Sequence, residues 1–137
     1  MKSPNRLMTA MTNILGLGTD ILEIERFKGV LTQHGQKFLD KLFSINEQEY
    51  CNRYQDPTSR YTVRFCAKEA VVKSLGVGFG KEIAFLDIEI LNDPSGKPTV
   101  KLSAKASTHF GHPSFHISLS HSKNYATATV IALEGKG

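Results

Sequence analysis

Glu69 and Lys73 stand four residues apart in the stretch Pro57 to Leu75, whose second half is otherwise largely apolar. On a helical wheel stepped at about 100° per residue, Phe65, Val72 and Leu75 cover one side. Val63, Cys66 and Ala70 cover another, and Ala67 and Val71 fill much of the rest. A helix apolar nearly all round is expected to be largely buried. Glu69 projects between Phe65 and Cys66, with Lys73 one turn later on the same side, while Arg64 and Lys68 share a different side. A carboxylate in such a setting is costly unless it is paired or bound to a metal. One reading is an i,i+4 ion pair in a solvent window, contributing about 0.2–0.5 kcal/mol. The other is a metal ligand beside an ammonium that holds phosphate. Magnesium suits that reading, because it takes one or two carboxylates and fills its other positions with water and phosphate oxygens.

A second carboxylate has to come from elsewhere in the chain. Asp20 is the candidate, at the end of the apolar, glycine-bearing run Asn13 to Ile21. Its alternative role is the N-cap of a helix beginning near Glu23. The third element is Ser118-Leu119-Ser120-His121-Ser122, whose hydroxyls and imidazole can donate to phosphate. A Ser-His pair also suggests a hydrolase nucleophile, but the G-x-S-x-G elbow is missing. His121 reads equally as an ordinary turn histidine. His34, His109, His112 and His116 show no metal-ligand spacing.

The elements that must position these groups follow from periodicity and punctuation. Asn13 to Ile21 reads as a strand ending near Asp20. Glu23 to His34 has helical spacing at Ile24, Phe27, Val30 and Leu31, with Gly35 as a stop. Phe38 to Phe43 is a second short helical patch. Ser44 followed by Glu47 makes a capping box that opens a helix through about Tyr54. Pro57 and Thr58 open the long helix, which stops at Gly76. Phe85 to Leu91 alternates as a strand, Asp93 to Pro98 is a turn, and Thr99 to Leu102 is the returning strand. A short helix over Ser103 to His109 precedes two strands, Phe115 to Leu119 and Ala126 to Leu133. Strand, helices, then mostly strands favours α+β with an antiparallel sheet against a long central helix.

With 137 residues, 40% of them hydrophobic and 22% charged, the chain fits one globular domain. That domain is expected over 13–137, behind a flexible N-terminal tail over 1–12, with Met8 and Met11 as alternative starts. The tail has no apolar h-region, so it does not read as a secretory signal. No apolar run approaches the roughly 18 residues of a membrane span. Cys51 and Cys66 lack a partner motif and read as buried thiols in a reducing, cytoplasmic setting. The net charge of +4 points to an acidic partner. Nucleic acid is disfavoured, because there is no Lys/Arg stripe, no aromatic-basic motif and no Trp.

Taken together, these pieces resemble one family. Leu17-Gly18-Thr19-Asp20-Ile21 is similar to the first signature of the 4'-phosphopantetheinyl transferases. Phe65-Cys66-Ala67-Lys68-Glu69-Ala70-Val71-Val72-Lys73-Ser74 is similar to the second. Asp20 to Phe27, Gly96-Lys97-Pro98 and Ser118 to His121 resemble the short holo-acyl-carrier-protein synthase subgroup. The likeness runs from about Ile14 to Leu133.

The resemblance implies a trimer with active sites at subunit interfaces. It also implies coenzyme A as donor and an apo acyl carrier protein as acceptor, in support of fatty acid biosynthesis. By the same likeness, Asp20 and Glu69 hold magnesium, Lys73 neutralises pyrophosphate, and Arg64 and His121 meet phosphate, His121 reaching in from the neighbouring subunit. Gly96, Lys97 and Pro98 lie near the adenine. Arg26 faces the carrier's acidic helix, with Lys37 and Phe38 nearby. Lysine at 37 offers a point charge without a bidentate fork. The alternative is a non-catalytic module that binds coenzyme A or the carrier.

Overall fold

Alternation of small or apolar inward residues with outward ones builds strand β1 (Ile14–Glu23) in the computed structural model, which describes residues 13–135. The tail expected over 1–12 lies outside the described residues. Rather than stopping near Asp20, β1 carries it mid-strand, opposite Ala128 of strand β5 (Tyr125–Leu133). The helix that follows begins with Glu23 as N-cap, so Asp20 is not the cap. β5 also pairs with β4 (Ser114–His121), giving an antiparallel sheet in the order β1-β5-β4. A separate antiparallel hairpin joins β2 (Ile88–Asn92) to β3 (Pro98–Leu102). Its turn is held by Asp93 Oδ1, which accepts from the backbone N–H groups of Ser95 and Lys97, both at 2.9 Å. The α+β class expected from the sequence is the one observed.

Helix α1 (Ile24–Leu42) joins the two helical patches across a kink at Gly35, whose φ of 71° favours glycine. Helix α2 (Ile45–Cys51) opens with the expected capping box but ends at Cys51, short of Tyr54. Helix α3 (Thr58–Ser74) is the long one, and it stops at Gly76, with φ of 75°. Helix α4 (Ala104–His109) is capped by Ser103. One expected strand is partly wrong. Phe85–Asp87 is a 3-10 turn, and the strand starts only at Ile88. Asp87 accepts from Ala84 N at 2.8 Å and from the Ser103 hydroxyl at 2.7 Å, so local side-chain bonds outcompete the ladder there.

Helix α3 lies on the inner face of the sheet. Cys66, Ala67, Ala70 and Val71 bury against Ala126, Ala128, Val130 and Ala132 of β5. Small residues let the layers approach closely, and β1 takes this to its limit. A Cβ at Gly18 would overlap Ala70 O and lie 2.8 Å from Ser74 N, and one at Gly16 would overlap Ser74 O. On the far side of α3, a second cluster of Phe27, Leu42, Phe43, Cys51 and Tyr61 seats α1 and α2.

Lys68 fixes the pitch of α3. Its side chain is fully buried, and its ammonium donates to Leu42 O at 2.6 Å, Glu47 Oε1 at 2.8 Å and Phe85 O at 3.1 Å. All three protons are thus satisfied. Glu47, equally buried, also accepts from Ser44 N and Ile90 N, both at 2.9 Å. Burial pulls the ammonium below the ordinary lysine range, and the Glu47 charge opposes that shift. The sequence marked Glu47 only as a capping residue, while its ion pair spans 21 positions.

Candidate active site

The close approach of β1 to α3 decides what meets Asp20. Its side chain lies on the same face of β1 as Gly16 and Gly18. Here it meets Lys73, whose Nζ donates to Asp20 Oδ1 at 3.2 Å and to Thr19 O at 2.9 Å. The i,i+4 reading of Glu69 and Lys73 is not realised, because the ammonium crosses to β1 instead. Glu69 remains half-buried with no ion pair among the described residues. Desolvation first, and then the Asp20 charge, push its carboxyl above the ordinary range, with Lys73 partly offsetting them. The Cys66 thiol, one turn back, is pushed up to about 12 by burial and next by Asp20. Burial leads both shifts, and the Asp20 charge adds to each, as expected where β1 brings Asp20 against this short segment of helix.

A converging, half-desolvated carboxylate pair with one lysine is suited to a divalent cation. No group of three or more His, Cys, Asp or Glu side chains clusters among the described residues. A cation held here would therefore take two protein oxygens and leave its other positions to water and phosphate, which is the donor set magnesium accepts. Asp20 and Glu69 fit that role.

The expected phosphate and adenine contacts gather elsewhere. A cavity of about 500 Å³ is lined by Arg64, Gly96, Pro98 and His121, with Asn92 and Tyr50 beside them. Within one chain, His121 thus sits with Arg64, not with the carboxylates; Asp20, Glu69 and Lys73 do not line this cavity. Gly96, at φ of 92°, and Pro98 form its lip, while the exposed Lys97 contributes only its backbone to the turn. Arg64 is only 3% exposed. Its Nη2 donates to Asn92 Oδ1 at 2.7 Å, its guanidinium lies 4.1 Å from the Tyr50 ring centre, and its Nε is buried without a partner.

Of the docking residues, Arg26 and Lys37 are exposed on α1. Phe38 is half-buried against the second core cluster, its ring 5.1 Å from that of His34. Sequence reasoning missed Asn92, Tyr50 and Arg60 as cavity residues. Only Arg60 left a signal, because it stands four residues before Arg64 on the same helix. Both cysteines are buried and free. No described helix is long and apolar enough to cross a membrane.

Comparisons with known proteins bear on this geometry. The family model of the 4'-phosphopantetheinyl transferase superfamily matches residues 16–130. A holo-[acyl-carrier-protein] synthase of Protochlamydia amoebophila is 48% identical over 117 residues, covering 85% of this chain and 96% of that protein. One from Ruminiclostridium cellulolyticum is 46% identical, covering 84% and 89%. The crystal structure of a holo-(acyl-carrier-protein) synthase from Bacillus anthracis, in complex with CoA (3',5'-ADP), superposes with a TM-score of 0.77 at 35% identity. It covers 91% of this chain and 100% of that one. The Helicobacter pylori synthase in complex with coenzyme A gives 0.78 at 35% identity, covering 85% and 98%. On the match of fold, of both signature segments and of nearly the full length of these relatives, the chain belongs to the holo-[acyl-carrier-protein] synthases of the 4'-phosphopantetheinyl transferase superfamily.

Proposed function

We propose that the chain transfers the 4'-phosphopantetheine group of coenzyme A to a serine of an apo acyl carrier protein, releasing 3',5'-ADP, in support of fatty acid biosynthesis. The observation that carries this reading is the convergence of Asp20, Glu69 and Lys73 where β1 touches α3. The carrier serine oxygen bonds to the β-phosphorus, and the bond from that phosphorus to the oxygen shared with the α-phosphate breaks. The leaving 3',5'-ADP takes the electron pair, and the Asp20–Glu69 pair accepts the serine proton. Lys73 offsets the charge that builds on the leaving oxygen. Asp20 and Glu69 would hold magnesium, which when bound offsets diphosphate charge and polarises the phosphorus under attack. A non-catalytic binding module would need the cavity but not the carboxylates. Mass spectrometry of an apo carrier protein incubated with this protein, coenzyme A and magnesium separates the two. Gain of one phosphopantetheine is expected, and an unchanged carrier mass would overturn the reading.

The site is completed by a second copy, in a trimer. Two observations support this. The carboxylate cluster and the arginine cavity do not share one pocket within a chain. The outer face of the sheet, moreover, carries Leu17 and Ile21, each 64% exposed, beside Thr19, Thr129 and Ser118. Sedimentation equilibrium should give three times the chain mass of 15.2 kDa, and a monomer mass would count against the shared site. A cytoplasmic location belongs to the same proposal, supported by the two free thiols.

The exposed Arg26 docks the acidic carrier, with Lys37 further along α1. Arg26→Glu should raise KM for the carrier about tenfold while changing KM for coenzyme A little. Equal rises in both would remove Arg26 from the docking surface.

A further inference from the structure

Arg60 and Arg64 lie one turn apart on α3, and both line the cavity of about 500 Å³. No carboxylate lines it. Neither guanidinium has an acidic partner among the described residues. Two uncompensated cations on one cavity wall make it a seat for an anion.

Arg64 cannot fill that seat alone. It is almost wholly buried, and one edge is already spent on Asn92. Arg60 is only half-buried, and its guanidinium lies 4.0 Å from the centre of the Tyr54 ring. Stacking fixes the plane of a guanidinium and leaves its N–H edge free for two parallel bonds to phosphate. Tyr54 is itself held in place, its hydroxyl 3.0 Å from that of Tyr50, which underlies Arg64. Two arginines on two hydrogen-bonded tyrosines form one ladder between α3 and the chain leaving α2.

Resting on the transfer reading, we propose that Arg60 is a specificity-determining residue of the donor site, recognising a phosphate monoester of the nucleotide, with Tyr54 as its positioning residue. Coenzyme A offers a diphosphate and one monoester. The diphosphate belongs with the Asp20–Glu69–Lys73 cluster, which lies outside this cavity. The monoester has three terminal oxygens and up to two negative charges, which suits a paired-arginine wall.

The test compares coenzyme A with dephospho-coenzyme A as donors for the wild type, Arg60→Gln and Arg60→Lys, each with its melting temperature measured. Arg60→Gln should raise KM for coenzyme A about tenfold with little change in kcat, so that discrimination between the two donors falls by the same factor. Arg60→Lys should recover part of it, and Tyr54→Leu should lose part. Unchanged discrimination in folded Arg60→Gln overturns the proposal. Calorimetric binding of 3',5'-ADP and 5'-AMP decides the point without turnover, since only the first carries the 3'-phosphate that stands for the monoester of coenzyme A. Weakening confined to 3',5'-ADP supports Arg60, and equal weakening of both rejects it. A wild type that binds 3',5'-ADP but transfers nothing would sink the transfer reading and leave the Arg60 assignment to the calorimetry.

Discussion

Glu69→Gln is expected to cut phosphopantetheine transfer on the order of a thousandfold, the scale of losing one preorganised electrostatic group, while making the cation-free protein harder to melt. The two effects share a cause. Burial and the neighbouring Asp20 hold the Glu69 carboxyl above its ordinary range. Its folded pKa therefore lies above the unfolded one. The stability it contributes is complete below the unfolded value and is lost as pH rises through the folded value. Above the folded value, with no divalent cation, the Glu69 charge is at its least favourable. The amide removes that repulsion together with the site's chemistry. Asp20→Asn should lose transfer equally but without the thermal gain, because Asp20 is the partner of Lys73. The measurements are carrier turnover with magnesium and melting in chelator at neutral pH. Full turnover by either variant would dismiss the metal assignment, and a lower melting temperature for Glu69→Gln would dismiss the electrostatic account.

The second large effect is on stability. Lys68→Met leaves Glu47 buried without its cation, a loss of about 3–5 kcal/mol. Small domains hold only about 5–15 kcal/mol in total. Glu47→Gln alone should cost less, because it removes the charge yet keeps an acceptor for Ile90 N. The double variant should be more stable than the sum of the singles requires, with an interaction of about 2–3 kcal/mol in urea unfolding. Strict additivity would mean that the pair is not coupled, whatever its 2.8 Å separation suggests.

Why some of this could be read from the chain and some could not is a matter of range. The Ser44–Glu47 capping box and the stop at Gly76 are local chemistry, complete within a few residues, and both stand where the spacing placed them. Asp20 stands out in the sequence as a second carboxylate at the end of a glycine-bearing apolar run, and the resemblance of the surrounding segments pairs it with Glu69. What brings them together is the contact of Gly18 with α3, which no periodicity displays. The partner of Lys73 stays open in the sequence for the same reason. A helix neighbour four residues away competed with a strand neighbour 53 positions away, and the latter holds the bond. Phe85–Asp87 alternates like a strand but is bent by Asp87, whose partner Ser103 is 16 positions on. The burial of Arg64 and Lys68 was hidden because each is enclosed by α2 and the β2 hairpin, elements that a wheel drawn on α3 does not include.

The bare glycines at 16 and 18 also bear on how this enzyme could be re-engineered or could drift. With backbone pressed on backbone there, no side chain can be admitted without prising the reactive acids apart, so those positions are closed to variation. Arg60, stacked on Tyr54, lines a cavity that none of Asp20, Glu69 and Lys73 lines. A library confined to these two positions could therefore change which nucleotide is accepted while leaving the reaction centre untouched.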